Sequence, residues 1–325
     1  FTDNNDSWTF TKNGNGDFKH GNNMAEVWNG RDWEVSQELT GLPEGFYKIT
    51  AQAFYSPSSP ASDVWKSVYG VEGDEVNVVK ASIFGNDASA LIHHVADFAQ
   101  ENNMGNGCEE LANMNVDSLN GKWTPTGLAG AQAIFQADKL NYLNSVTCYV
   151  GEEGTLRLGI RLSGVDRDQA WVAFDNFQLT LVKDEAEQRQ GAVAALNAKI
   201  AEAQALPTAD CMVEEAVNGL LEAIAGAQGV VKQASITTEQ FVEAMADLNS
   251  AIELFNTANT KFSEINDLVN GYLADENEIY DQYQGAGDFI DAVIVVDDKL
   301  AEAEAGVARY AFATIDEIEV DMNSL

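Results

Sequence analysis

The apolar residues of this chain keep a period of two up to about Lys183-Asp184 and a helical period afterwards, and one fold cannot absorb both. All six tryptophans, four of the five prolines and 18 of the 26 glycines precede that point. Charge divides there too: residues 1–183 carry 24 acids and 12 bases, whereas residues 184–325 carry 28 and 6. The chain therefore reads as two folding units, 1–183 and 184–325. Its 325 residues are enough to bury a core in each.

The first unit reads as strands. Trp33–Leu39 alternates, Leu42-Pro43-Glu44-Gly45 turns the chain, and Phe46–Tyr55 resumes the alternation, so the spacing predicts a β-hairpin. Gly151-Glu152-Glu153-Gly154 likewise separates Tyr142–Val150 from Thr155–Ser163. In the latter strand Leu156, Leu158, Ile160 and Leu162 share one face, and Arg157 and Arg161 point the other way. Trp171–Val182 closes the set. Only Ala88–Asn102 reads as helix. Many strands with Gly-rich turns predict an antiparallel β-sandwich, not a parallel α/β sheet.

The second unit predicts an all-α, up-and-down helical bundle. Leu196-x3-Ile200-x2-Ala203-Gln204 recurs as Leu220-x3-Ile224-x2-Ala227-Gln228 and again as Leu248-x3-Ile252-x2-Phe255-Asn256. Each copy lays its apolar residues on one stripe, as a bundle helix needs. The repeat gives helices over about 185–206, 212–231 and 238–258, with Thr237 or Thr238 as the N-cap of the third. One or two further helices follow, through Ile265, Leu268, Val269 and Tyr272. The pattern resumes after the turn Gly285-Ala286-Gly287-Asp288 with Phe289, Ile290, Val293, Ile294 and Leu300.

The net charge of −34 speaks against nucleic-acid and polybasic membrane roles, because such a field repels phosphate and anionic lipid. No run of 18 apolar residues is present, so no transmembrane segment is expected. Cys108, Cys148 and Cys211 fit no zinc spacing; either Cys108 and Cys148 form a bridge or all three stay reduced. The opening FTDNNDSW lacks an initiator Met, as after removal of a signal or lipoprotein leader or at an artificial boundary. Catalytic motifs are absent: there is no G-x-S-x-G, H-E-x-x-H or P-loop, and Gly14-Asn15-Gly16 is a turn. His20 is isolated. On a helix His93 and His94 would diverge by about 100° and could not chelate one metal from one face.

Ala25-Glu26-Val27-Trp28-Asn29, Gln37-x-Leu39-x2-Leu42-Pro43-x-Gly45-x-Tyr47 and Ala51-Gln52-Ala53-Phe54-Tyr55 resemble, in that order, a module of secreted Bacteroidetes proteins. So does the ending Leu156-x-Leu158-Gly159-Ile160 … Trp171-x2-Phe174-Asp175-Asn176-Phe177-x-Leu179. That module is similar to the galactose-binding-like jelly roll of carbohydrate-binding modules and of coagulation-factor type C domains. The acidic helices resemble FIVAR-type modules. The resemblance implies an extracytoplasmic protein of a Gram-negative cell, secreted or anchored at the outer surface. It departs from the pattern after Tyr55, where Ser56-Pro57-Ser58-Ser59-Pro60 stands in place of an Arg and a shorter loop.

Sugar recognition needs a flat aromatic face and polar groups to fix hydroxyls. Trp65 and Tyr69 in a Pro/Ser/Asp-rich connection, Trp123 in the Asn/Gly-rich segment 102–130, and Arg161 are the candidates for carbohydrate binding. Each tryptophan has the alternative of plugging its own loop, and Arg161 that of an ordinary solvated or salt-bridged arginine. Asp175 shares the parity of Phe177, Leu179 and Leu181, which points it inward, where a carboxylate must be hydrogen-bonded or metal-bound. The resemblance implies a structural calcium there, with Glu26 as partner; a hydrogen-bonded Asp175 is the other reading. The expected function is a non-catalytic module binding a glycan or polysaccharide, held out by a helical spacer. The alternative is a structural or protein-interaction subunit engaging other cell-surface proteins; third comes a glycoside hydrolase or its accessory.

Overall fold

The computed structural model describes residues 7–57, 79–112, 114, 117–164, 170–209, 211 and 213–283, with the backbone alone at 268–269 and 272–283. In chain order the strands are β1 (Thr9–Lys12), β2 (Asp17–Gly21), β3 (Met24–Gly30), β4 (Trp33–Leu39), β5 (Gly45–Ser56), β6 (Ala81–Gly85) and β7 (Ala88–Leu91). They continue with β8 (His93–His94), β9 (Cys108–Glu110), β10 (Trp123–Pro125), β11 (Leu143–Val150), β12 (Leu156–Leu162) and β13 (Ala170–Leu181). One helix, α1 (Leu128–Ala137), lies between β10 and β11. The first sheet runs β1-β4-β12-β6-β7 and the second β11-β5-β13-β3-β2, every pairing on those paths antiparallel. Short β8 adds to β5 in parallel. Val27, Val35, Ile49, Ile83, Ile160 and Phe174 are buried in one cluster drawn from both sheets, which makes this an antiparallel β-sandwich.

The hairpin predicted over Trp33–Tyr55 is not a hairpin. β4 pairs with β1 and β12, while β5 pairs with β11 and β13, so the turn at 40–44 carries the chain from one sheet to the other. The turn at 151–154 does the same between β11 and β12. These two arches nest: the Leu42 N–H donates to the Gly154 carbonyl at 3.0 Å. At Gly154 φ is +64°, and a Cβ there would lie 2.6 Å from the Leu42 oxygen, so only glycine fits. Tyr47 holds its own arch by donating its hydroxyl to the Pro43 carbonyl at 2.9 Å.

The second sheet is buried on both faces. Its outer side carries a second cluster in which Met24, Phe54, Trp171 and Ala173 meet Val95, Leu111, Ile134, Phe135 and Tyr142. The 92–142 segment therefore caps this sheet, and β5 and β13 accordingly contain unbroken buried runs, 51–56 and 170–174. Gln52, 1% exposed, ties the layers: its amide donates to the carbonyls of Phe135, Asp138 and Asn141 at the end of α1. The predicted helix 88–102 is instead β7, β8 and turns. Ala88 and Ala90 alternate with the more exposed Ser89 and Leu91, a strand pattern hidden by alanine's preference for helix. All three cysteines are free, and burial pushes the Cys148 thiol up to about 12.

Three helices follow: α2 (Glu185–Gln204), α3 (Glu214–Val231) and α4 (Thr238–Tyr283). The repeat explains their buried stripe: Leu196, Ile200 and Ala203; Leu220, Ile224 and Ala227; Leu248, Ile252 and Phe255. Thr237 caps α4 in a reciprocal box, its hydroxyl accepting from the Gln240 N–H while its own N–H donates to the Gln240 side chain. Rather than ending near 258, α4 runs on to Tyr283, because no Gly or Pro interrupts 256–265 and the stripe continues through Ala258 and Ile265. The expected turn at 285–288 and the helix after it lie outside the described residues. By compactness the chain divides into Phe1–Ala195 and Leu196–Leu325, a division that falls inside α2. The first turns of α2 belong with the sandwich, where Lys48 pairs with Glu187 at 2.6 Å and Gly191 lies against Thr147 and Phe46.

Candidate functional site

The outer face of the first sheet is built by strand register. Core-facing Trp33, Val35, Leu158, Ile160, Leu162 and Ile83 turn their neighbours outward, and antiparallel pairing aligns those neighbours across strands. One row reads Thr11, Glu34, Arg161, Ser82 and Leu91, from β1 to β7. At the usual strand spacing that row is about 19 Å long. The next row holds Ser36, Gly159, Phe84 and Ser89.

Phe84 is 1% exposed although it points away from the core. Two guanidiniums lie over its ring, Arg161 at 5.3 Å and Arg157 at 5.8 Å from the centroid. Arg157 also forms an ion pair with Glu34. Gly159, paired with Phe84 in register, must stay small, because a Cβ there would lie 2.0 Å from the Val35 carbonyl oxygen. Sequence alternation put both arginines on this face; Phe84 and Glu34 escaped notice because one looks like core and the other like a solvated acid.

The other expected site residues scatter. Trp65 and Tyr69 lie outside the described residues, in the connection that leaves β5 at Ser56 and enters β6 at Ala81, one residue before Ser82 in the Arg161 row. Trp123 is not in an open loop: it begins β10, paired with Glu110 of β9 and bridged to Gln100, in the cap over the second sheet. The whole sandwich stands between Trp123 and Arg161, so they do not form one surface.

Asp175 does not face the core. Val172 and Phe174 point into the sandwich, Trp171 and Ala173 into the cap, and a bulge between Asp175 and Gln178, with Asn176 at φ 57°, then switches the parity. Phe177 and Leu179 return to the core side, while Asp175 stays on the cap side, half-buried. Burial raises its carboxyl above the usual range, opposed by the Asn176 backbone N–H. Glu26 is across β13 on that same cap side, and its carboxylate accepts from the Trp171 indole N–H at 2.8 Å. Burial raises its carboxyl too, opposed by that hydrogen bond and by Lys19. Among the described residues no three His, Cys, Asp or Glu side chains are grouped to hold a metal ion.

His93 and His94 point to opposite sides of β8, as strand neighbours do. His94 is buried, its Nδ1 accepting from the Ala96 N–H, and burial lowers its pKa to about 4. No helix among the described residues is long and apolar enough to cross a membrane.

No protein-family model matches the sequence, and no curated protein matches it. Among solved structures, TmCBM61 in complex with beta-1,4-galactotriose aligns over 54% of this chain and 88% of its own, at 13% identity and a TM-score of 0.24. The CBM51-2 and INT domains of ZmpB from Clostridium perfringens align over 76% of this chain at 13% identity and a TM-score of 0.17; they are also solved with GlcNAc. This chain spans 44% of those domains' length. At such scores the sandwich rests on the strand registers themselves, and any functional reading on the face just described.

Proposed function

We propose that this chain is a non-catalytic, extracytoplasmic glycan-binding module, secreted or held at a cell surface, with its acidic helices as a spacer. The observation that carries the reading is the polar row Glu34, Arg161 and Ser82, fixed across three paired strands beside Arg157 and Phe84. A hydroxyl-rich chain laid across strands meets alternating acceptors and donors there, all placed by backbone register. Trp65 and Tyr69 belong to the connection that enters this row, and they supply the aromatic platform in this reading. Glu34 is committed to Arg157, which suits a binding surface better than a proton carrier. One stacked sugar yields about 1 kcal/mol beyond its burial, so affinity falls in the roughly micromolar to millimolar range.

Retardation in polysaccharide-loaded gels tests the reading. The chain should be slowed by at least one glycan, Trp65→Ala should weaken that, and Trp123→Ala, on the far side, should not. A ligand lost with Trp123→Ala and kept with Trp65→Ala would move the site to the cap. The second reading, a structural or protein-interaction subunit of the cell surface, has Leu91 in its favour: 66% exposed, it ends the same row in apolar surface. Co-purification of a surface protein with no glycan bound in a broad screen would favour it.

A further inference from the structure

The chain has 52 acids against 18 lysines and arginines. Among the described residues Lys19, Lys48, Lys122, Arg157 and Lys199 each have one within ion-pair distance. Arg161 does not. It is half-buried, its neighbour in register, Glu34, is engaged by Arg157, and its guanidinium lies over the ring of Phe84. A guanidinium cannot shed its charge, and its five N–H donors form a planar fork that fits a carboxylate with two parallel hydrogen bonds. Its place over Phe84 restrains the side chain, so less freedom is lost when an anion docks.

Resting on the glycan reading, we infer that Arg161 receives the carboxylate of a uronic acid, making this face specific for acidic polysaccharide. A single negative charge per sugar is what this site can take. The surrounding chain is strongly anionic and repels denser charge, such as phosphate or sulfate polymers, while Arg157 and Arg161 make a local positive spot. Ser82, paired with Arg161 in register, offers a hydroxyl to the neighbouring sugar oxygen.

The test uses the full chain in affinity gels containing polygalacturonate, alginate, or polygalacturonate methyl-esterified so that the ring stays and the charge goes. Retardation by an acidic polymer should disappear on esterification. Arg161→Gln should weaken it by roughly tenfold or more, with Arg161→Lys intermediate, since a charge-assisted bidentate contact is lost or halved. Ser82→Glu, which leaves Arg161 intact but sets a carboxylate beside it, should abolish binding with the melt retained; it keeps the inference open to test if Arg161→Gln misfolds. Equal binding of the esterified polymer, or unchanged binding by Ser82→Glu, overturns the uronate inference. If a neutral polysaccharide is retained in that case, the glycan reading survives. If no polysaccharide of either kind is retained, both fall.

Discussion

The two sheets of the sandwich share a core and differ on their outer faces. The second sheet is roofed by the 92–142 segment, with Phe54 packed against Phe135, Tyr142 and Trp171 at ring distances of 5.0–6.0 Å. The first carries arginines, an acid and serines in register, with one buried ring beneath them. A sheet with apolar residues on both sides must find a second cover, and the chain spends about fifty residues providing it. A sheet with polar outward residues is stable against water without such a cover.

Four experiments bear on that contrast. The largest effect should come from Phe54→Ala, which removes the ring that joins sheet to cap. It should cost about 3–5 kcal/mol in chemical denaturation, and a loss under 1 kcal/mol would mean the cap is only loosely attached. Acid should come next. His94 titrates near 6.5 when unfolded and about 4 in the fold, so the unfolded chain binds the extra proton first. Stability is then full above about pH 6.5 and falls as pH drops towards 4, by about 3 kcal/mol from this group. Glu26 and Asp175, whose carboxyls burial raises, act in the opposite sense, gaining stability as they protonate. Melting at stepped pH, with His94→Gln flattening the loss, checks the sign. Gln52→Ala should cost about 1–3 kcal/mol, because three carbonyls at the end of α1 lose their donor. Smallest of all, Arg161→Gln on the outer face of the first sheet should shift stability by no more than about 0.5 kcal/mol. A larger shift would make Arg161 part of the scaffold and blur the contrast.

Period and composition were enough to read sandwich, helices and the Thr237 cap, since each is set by residues close in sequence. The arches were not legible. Leu42-Pro43-Glu44-Gly45 reports that the chain reverses, but whether the strands then pair or part depends on partners far along the chain, in β11 and β12. The bulge after Asp175 defeated a parity argument for the same reason: one residue at positive φ moves every later side chain to the other face. For the candidate face, Arg161 was visible because its strand alternates. Phe84 was not, because nothing local distinguishes a ring buried under arginines from one buried in a core.

β13 lies in the middle of the second sheet, between β5 and β3, yet among the described strands it is the last made. The sheet has a gap at its centre until residue 181 has emerged, and both arches tie only its β11-β5 half to the first sheet. Folding of the sandwich therefore waits for almost all of its length. Its pairings are long-range, which makes the closing step slow compared with that of the local α-helical repeats. Until then the unpaired edges of β3 and β5 are open to pairing with a second chain, so newly made copies benefit from being kept apart.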